Sequence, residues 1–150
     1  MTTQTRELIQ RFKLTEHPEG GFYAQTYRSP HSTAIHFLLT QKDISKFHRI
    51  KSDELWHFYL GGSLTIVEIT PAGKTLTTVL GQKYSKGESL QYAVKAGHWF
   101  GAYCNEGTEF SLVGCTVAPG FDFKDFEMAK REDIAAFLSS EHDTKFFPAR

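Results

Sequence analysis

The segment Phe47–Gly62, FHRIKSDELWHFYLGG, concentrates groups that move protons or bind metals. It carries His48 and His57, the adjacent carboxylates Asp53 and Glu54, the aromatics Trp56, Phe58 and Tyr59, and a closing Gly61-Gly62. Imidazole titrates near neutral pH, so a histidine oriented by a carboxylate can act as general base while a tyrosine returns the proton. His48 or His57 fits the base, Asp53 or Glu54 the orienting carboxylate, and Tyr23, Tyr27 or Tyr59 the acid. The same side chains are ligands for iron, manganese, nickel or zinc. Glu54 stands out because Leu55, Trp56 and Phe58 flank it: a carboxylate in such a strand is partly buried and needs a partner. Its structural alternative is an ion pair with Arg28, Arg49 or Lys51.

The elements that must hold these residues are mostly strands. FYAQTYRS, TAIHFLLT, ELWHFYL, SLTIVEIT, KTLTTVLG, SLQYAV, HWFGAYC and EFSLVGCTV are short runs rich in β-branched and aromatic residues. Turn signals separate them at Gly61-Gly62, Pro71-Ala72-Gly73, Lys86-Gly87, Ala96-Gly97 and Asn105-Glu106-Gly107. Such spacing predicts an antiparallel sandwich or barrel with its core at about residues 20–118. Strict alternation puts Glu54, Trp56 and Phe58 on one face and Leu55, His57 and Tyr59 on the other. It likewise puts Tyr23, Gln25 and Tyr27 together, opposite Phe22, Ala24, Thr26 and Arg28. A short helix is expected over Thr3–Phe12, capped by Thr2 or Thr3, and a second over the helix-friendly run DFEMAKREDIAAFLSSEH. His17 shapes the turn at Pro18, and Pro119-Gly120 directs the chain out of the last strand.

The 150 residues make one domain, able to bury roughly 70% of the unfolded surface. Lys plus Arg and Asp plus Glu are 17 each, so the formal net charge is zero. This argues against a nucleic-acid or anionic-membrane partner, both of which call for a basic excess, and suits self-association. Cys104 and Cys115 form no Cys-x-x-Cys motif and read as buried, reduced thiols. The N-terminus lacks the pattern of a signal peptide and no apolar run approaches membrane-spanning length, so a cytoplasmic protein is expected.

The opening segment resembles the first motif of the cupins. His48, Glu54 and Gly61 fall in register, with Ile50 where the second histidine belongs. KAGHWF keeps Gly97 of the second motif but has Lys95 for its proline and Phe100 for its histidine. HPEGGFYAQTYRS, FHRIKSDELWHFYLGG, AGHWFGA and LVGCTVAPGFDFKDFEMA together resemble the fifth cupin family, an RmlC-like group long filed as a domain of unknown function. The resemblance implies a double-stranded β-helix (jelly roll), commonly dimeric, with a pocket at the barrel mouth.

Three functional readings follow. An incomplete ligand set disfavours a cofactor, though a divalent transition metal on His48 and Glu54 stays open. The leading reading is a metal-independent isomerase or epimerase acting on a sugar or sugar nucleotide. His48, Glu54, His57 and Tyr59 are its catalytic candidates, and Arg28 pairs with a phosphate or carboxylate. The alternative is a non-catalytic module in which Tyr23, Gln25, Tyr27, Arg28, Trp56, Phe58, Trp99 and Phe100 hold a small ring-bearing ligand. In either case the expected partners are a small-molecule ligand and a second copy of the chain.

Overall fold

Two antiparallel sheets face each other in a computed structural model that describes residues 1–148. α1 (Thr3–Arg11) opens the chain, with the Thr5 N–H donating to the side chain of Thr2. There follow β1 (Thr15–Glu16), β2 (Phe22–Arg28), β3 (Thr33–Thr40), β4 (Ile44–Arg49), β5 (Asp53–Gly61) and β6 (Leu64–Ile69). β7 (Thr75–Leu80), β8 (Gln91–Val94), β9 (Trp99–Cys104), β10 (Phe110–Ala118), β11 (Glu127–Met128), α2 (Arg131–Ile134) and α3 (Ser140–Phe146) complete it. The first sheet has the order β1-β2-β3-β10-β5-β8 and the second β11-β4-β9-β6-β7. The expected mainly-β jelly roll is therefore present, and the core between its sheets is the positioning frame of everything below.

Alternation decides which side chains enter that core. Phe37, Leu39, Trp56, Ile66, Phe100, Val113 and Cys115 interdigitate between the sheets, each large apolar side chain contributing about 1.5–3 kcal/mol on burial. The outer faces need their own cover. Leu8, Ile9 and Phe12 of α1 pack over Leu38, Phe110 and Leu112 of the first sheet. Ile134 of α2 and Phe146 of α3 cover Phe47, Val67 and Ile69 of the second.

Three local features depart from the expected pattern. β4 was not anticipated; in it Phe47 turns outward to meet the C-terminal helices while His48 turns inward. In place of one C-terminal helix, Glu127 and Met128 pair with Arg49 and His48 at the sheet edge, and α3 starts afresh where Ser139 accepts the His142 N–H. Tyr27 does not share a face with Tyr23 and Gln25. The β2–β3 register shifts between Gln25 and Tyr27, so Tyr27 lies opposite Ala34 and stands 56% exposed. One extra residue in a strand reverses the alternation beyond it.

The HPEGG turn is fastened to β4 by a close backbone approach. Gly20 has φ 109°, and an added Cβ would lie 2.0 Å from the carbonyl oxygen of Ile44. The Lys46 N–H donates to the Glu19 carbonyl at 2.7 Å, and the Gly20 N–H to that of His17 at 2.9 Å. These contacts carry Glu19 into the barrel. Gly20→Ala should cost at least about 2 kcal/mol, from left-handed strain and a backbone clash together, read as a lower urea midpoint with an unchanged slope.

Candidate functional site

The mouth of the barrel opens into a cavity of about 410 Å³. Its floor is made by buried residues of both sheets, Thr33, His48, Cys115 and Val117, with Glu19 and Ile50 from the turns beside them. Tyr23 and Gln25 of β2 and Glu54 of β5 line its walls. Phe121, Phe123 and Phe126, from the segment after β10, close one side. That segment is tied down by the Arg28 guanidinium, which donates to the Phe121 carbonyl at 2.8 and 3.1 Å, and by the Phe121 N–H donating to Thr33 Oγ1 at 2.9 Å.

His48 has no free nitrogen. Its Nδ1 lies 2.7 Å from the Lys46 carbonyl oxygen and its Nε2 2.6 Å from Glu19 Oε2. Both partners only accept, so both nitrogens must carry protons and the ring is an imidazolium. Burial alone pushes His48 down, but the charge and contact of Glu19, with help from Glu54 and the Lys46 carbonyl, hold it above its ordinary value. For Glu19, burial alone pushes the carboxyl up, yet the charge and contact of His48 bring it below its ordinary value. The Nε2–Oε2 contact lies off the ideal hydrogen-bond direction, leaving Oε2 without an aligned donor; charge at contact distance holds the pair. Phe100 backs the imidazolium at 4.1 Å between ring centroids.

His17 is held differently. The backbone N–H of Glu19 donates to its Nδ1 at 3.1 Å, so that nitrogen is unprotonated and Nε2 bears the hydrogen. Its Nδ1 also lies 3.6 Å from Glu19 Oε1, but an accepting nitrogen makes no ion pair. Burial, and secondarily the His48 charge, hold its pKa below the ordinary value against the attraction of Glu19. The side chain is 6% exposed and sits among Tyr23, Phe37, Phe123 and Phe126. Nε2–H has no protein partner among the described residues, and the ring lines the cavity.

Glu54 faces the cavity as alternation requires, and none of its expected cations reaches it. Arg28 binds the Phe121 carbonyl, Arg49 pairs with Glu127 at 2.8 Å, and Lys51 with Asp125 at 3.0 Å. Burial and the nearby Glu19 charge push its carboxyl up to about 7, against smaller opposing effects of His48 and the Trp56 indole N–H. That indole N–H is buried and has no hydrogen bond of normal geometry. At the floor, burial with the charges of Glu54 and Glu19 raises the Cys115 thiol well above its usual range, leaving it inert as a nucleophile.

Several anticipated site residues lie elsewhere. His57 and Tyr59 are on the outer face of the first sheet: His57 contacts Thr116 Oγ1 at 3.1 Å and Gln91 at 3.2 Å, and Tyr59 packs over Gly114. Neither enters the cavity, because strand parity turns both away from Glu54. Tyr27 is outside by its bulge, and Arg28 reaches the cavity only through the Phe121 carbonyl. Trp56, Phe58 and Phe100 point inward but are consumed by the core. Trp99 faces the C-terminal helices and stacks under Arg49 at 4.1 Å. Conversely, Glu19 and the three phenylalanines line the cavity without having been singled out, and His17, expected only to shape its turn, lines it too. The one available signal was the aromatic spacing of GFDFKDF.

The donor set does not fit a cupin metal centre. Ile50 and Phe100 stand at two of the four ligand positions, His48 is committed at both nitrogens, and no group of three His, Cys, Asp or Glu side chains with metal-binding geometry occurs among the described residues.

A jelly roll whose mouth holds the surviving histidine and glutamate of a cupin motif is a cupin by architecture. The chain belongs to the family described as Cupin superfamily (DUF985), which it matches over residues 6–129. It is similar to the crystal structure of protein SO0799 from Shewanella oneidensis, with 40% identity and a TM-score of 0.84 over 93% of this chain and 92% of that one. A hypothetical protein from Leishmania major is 31% identical, with a TM-score of 0.82 over 95% of each chain. The uncharacterized protein YML079W of Saccharomyces cerevisiae is 30% identical over 154 residues, covering 85% of this chain and 76% of that protein. Oxalate decarboxylase from Bacillus subtilis shares the fold at 15% identity and a TM-score of 0.62, over 90% of this chain and 37% of that one.

Glu54 gives stability a pH signature. Its carboxyl keeps its proton to about pH 7 when folded, against 4.5 ordinarily. Between those values the folded chain binds more protons than the unfolded one, so stability falls as pH rises and this loss is complete above pH 7. The loss amounts to at most about 3 kcal/mol. Glu54→Gln should remove it, so the variant's unfolding free energy relative to the parent climbs from pH 4.5 to 7 and is level beyond. Urea midpoints measured across that range test this.

Proposed function

We propose that the cavity binds a small sugar-type metabolite and that Glu54 moves a proton on it without a metal, in an isomerase- or epimerase-like reaction. The observation that carries this reading is a cavity-facing carboxyl poised at about 7 with no protein cation paired to it. A general base or acid works best with a pKa near the operating pH. His48, an anticipated base, is clamped as an imidazolium and serves as a fixed positive charge, so the proton-transfer role passes to Glu54.

In the reaction, ionised Glu54 removes the proton from the carbon beside a carbonyl, and the electron pair moves onto the carbonyl oxygen. The His17 Nε2–H and the Tyr23 hydroxyl are the donors available to that oxygen. For isomerisation, that oxygen takes a proton from its donor, the hydroxyl on the deprotonated carbon gives its proton back to the same donor as it becomes the new carbonyl, and Glu54 returns its proton to the former carbonyl carbon. For epimerisation, Tyr23 protonates the opposite face of the deprotonated carbon, and Glu54 and Tyr23 then re-equilibrate with water. A cavity of about 410 Å³ suits one monosaccharide. Tyr23 and the three phenylalanines supply apolar contact for its ring, and a nucleotide portion would extend outside.

Incubating keto-sugars with the protein in deuterated water should place deuterium at the carbon beside the carbonyl, with a rate that rises as Glu54 ionises through about pH 7. Glu54→Gln should lower that rate by about a hundredfold or more. An equal rate in the variant would remove Glu54 from the mechanism. Absence of exchange across a broad panel, with binding retained, would assign the cavity to non-catalytic ligand binding.

A further inference from the structure

Lys13 is the one non-glycine residue with positive φ, at 55°, among the described residues. It follows the last turn of α1. Its N–H donates to the Gln10 carbonyl at 3.3 Å, and the Leu14 N–H donates to that of Ile9 at 2.9 Å. This left-handed helix cap is a position that glycine or asparagine fills with less strain. The cap therefore explains the backbone and not the lysine. A strained residue kept at a cavity points to use of its side chain.

The surroundings say what that use is. Lys13 lines the cavity at its solvent-exposed end, beside Thr15 and near Gln25. It pairs with no carboxylate among the described residues. Deeper in, the His48 charge is paired with Glu19 and His17 is neutral, so the interior holds hydrogen-bond donors but no unpaired positive charge. Arg28, whose partner is the uncharged Phe121 carbonyl, adds same-sign charge behind the Phe121 wall. Unpaired positive charge is thus confined to the mouth, while Glu54 and His17 line the cavity deeper in.

We propose that Lys13 is the anion-recognition residue of this cavity and that the ligand is a hydroxy-carbonyl compound with one carboxylate or phosphate. The anionic group rests at the mouth while the carbonyl end reaches Glu54 and His17. The placement of the inner end rests on the proton-transfer reading of Glu54; the assignment of Lys13 does not.

Amide NMR titrations with D-fructose, D-fructose-6-phosphate and 2-keto-D-gluconate compare one neutral sugar with a phosphate and a carboxylate. In the parent, at least one anion should bind about tenfold more tightly than fructose, as a charge-assisted contact implies, and the stronger of the two identifies the anionic group. Lys13→Gly should erase this preference while melting no lower than the parent, because glycine suits the cap. Lys13→Arg should retain it. Equal binding of all three in the parent, including binding of none, overturns the proposal, as does a preference that survives in Lys13→Gly. The same titration on Glu54→Gln separates the two readings. A retained preference without deuterium exchange in the parent sinks proton transfer and leaves Lys13 in place.

Discussion

The contact on which the site depends is the buried ion pair between Glu19 and His48. Taking both charges out of water costs several kcal/mol per ion, and their attraction offsets this only where the remaining polar atoms are satisfied. His48 meets that condition through the Lys46 carbonyl; Glu19 meets it incompletely, with Oε2 off the hydrogen-bond axis and the Ser45 hydroxyl unpaired beside it. A hydrophobic pair of similar volume could fill the same space without this desolvation. The pair's consequence lies in what it does to its neighbours. It neutralises the imidazole position, places a permanent negative charge near Glu54 and so lifts that carboxyl toward neutrality.

The same pair explains why a cupin barrel can hold this site without the family's metal-type ligand set. A histidine whose two nitrogens are donors cannot coordinate a metal. Ile50 and Phe100 then complete an apolar floor around the pair, and the low local polarity strengthens every remaining electrostatic effect. The carboxylate that occupies the second nitrogen of His48 arrives from the turn before β2 and not from the barrel strands.

The sequence made the barrel legible because alternation and turn residues are local signals. It also made Glu54 legible: the spacing from His48 to Gly61 and the parity of β5 both place its carboxyl inside. What stayed hidden was non-local or irregular. Glu19 meets His48 only after the HPEGG turn docks on β4, a contact that no short window contains. Tyr27 was misplaced because a bulge cannot be seen in an alternating pattern. Phe126 falls in the run that reads as helix, because the sheet-edge pairing of Glu127 and Met128 depends on β4, while Phe121 and Phe123 read only as the chain's exit from the last strand.

The segment from Phe121 to Phe126 gives the cavity a wall that is not part of the barrel. Its three aromatic rings pack on one another and on His17, at 4.8–6.2 Å between centroids. Phe126 also stacks on His48 at 5.1 Å, the backbone of Phe121 bonds Arg28 and Thr33 of the first sheet, and Asp125 pairs with Lys51 in the turn before β5. The Phe121 and Phe123 side chains can change size without disturbing a strand register. The shape of the cavity on this side can therefore be altered at Phe121 and Phe123 while Glu19, His48 and Glu54 stay where the turn and the two sheets put them.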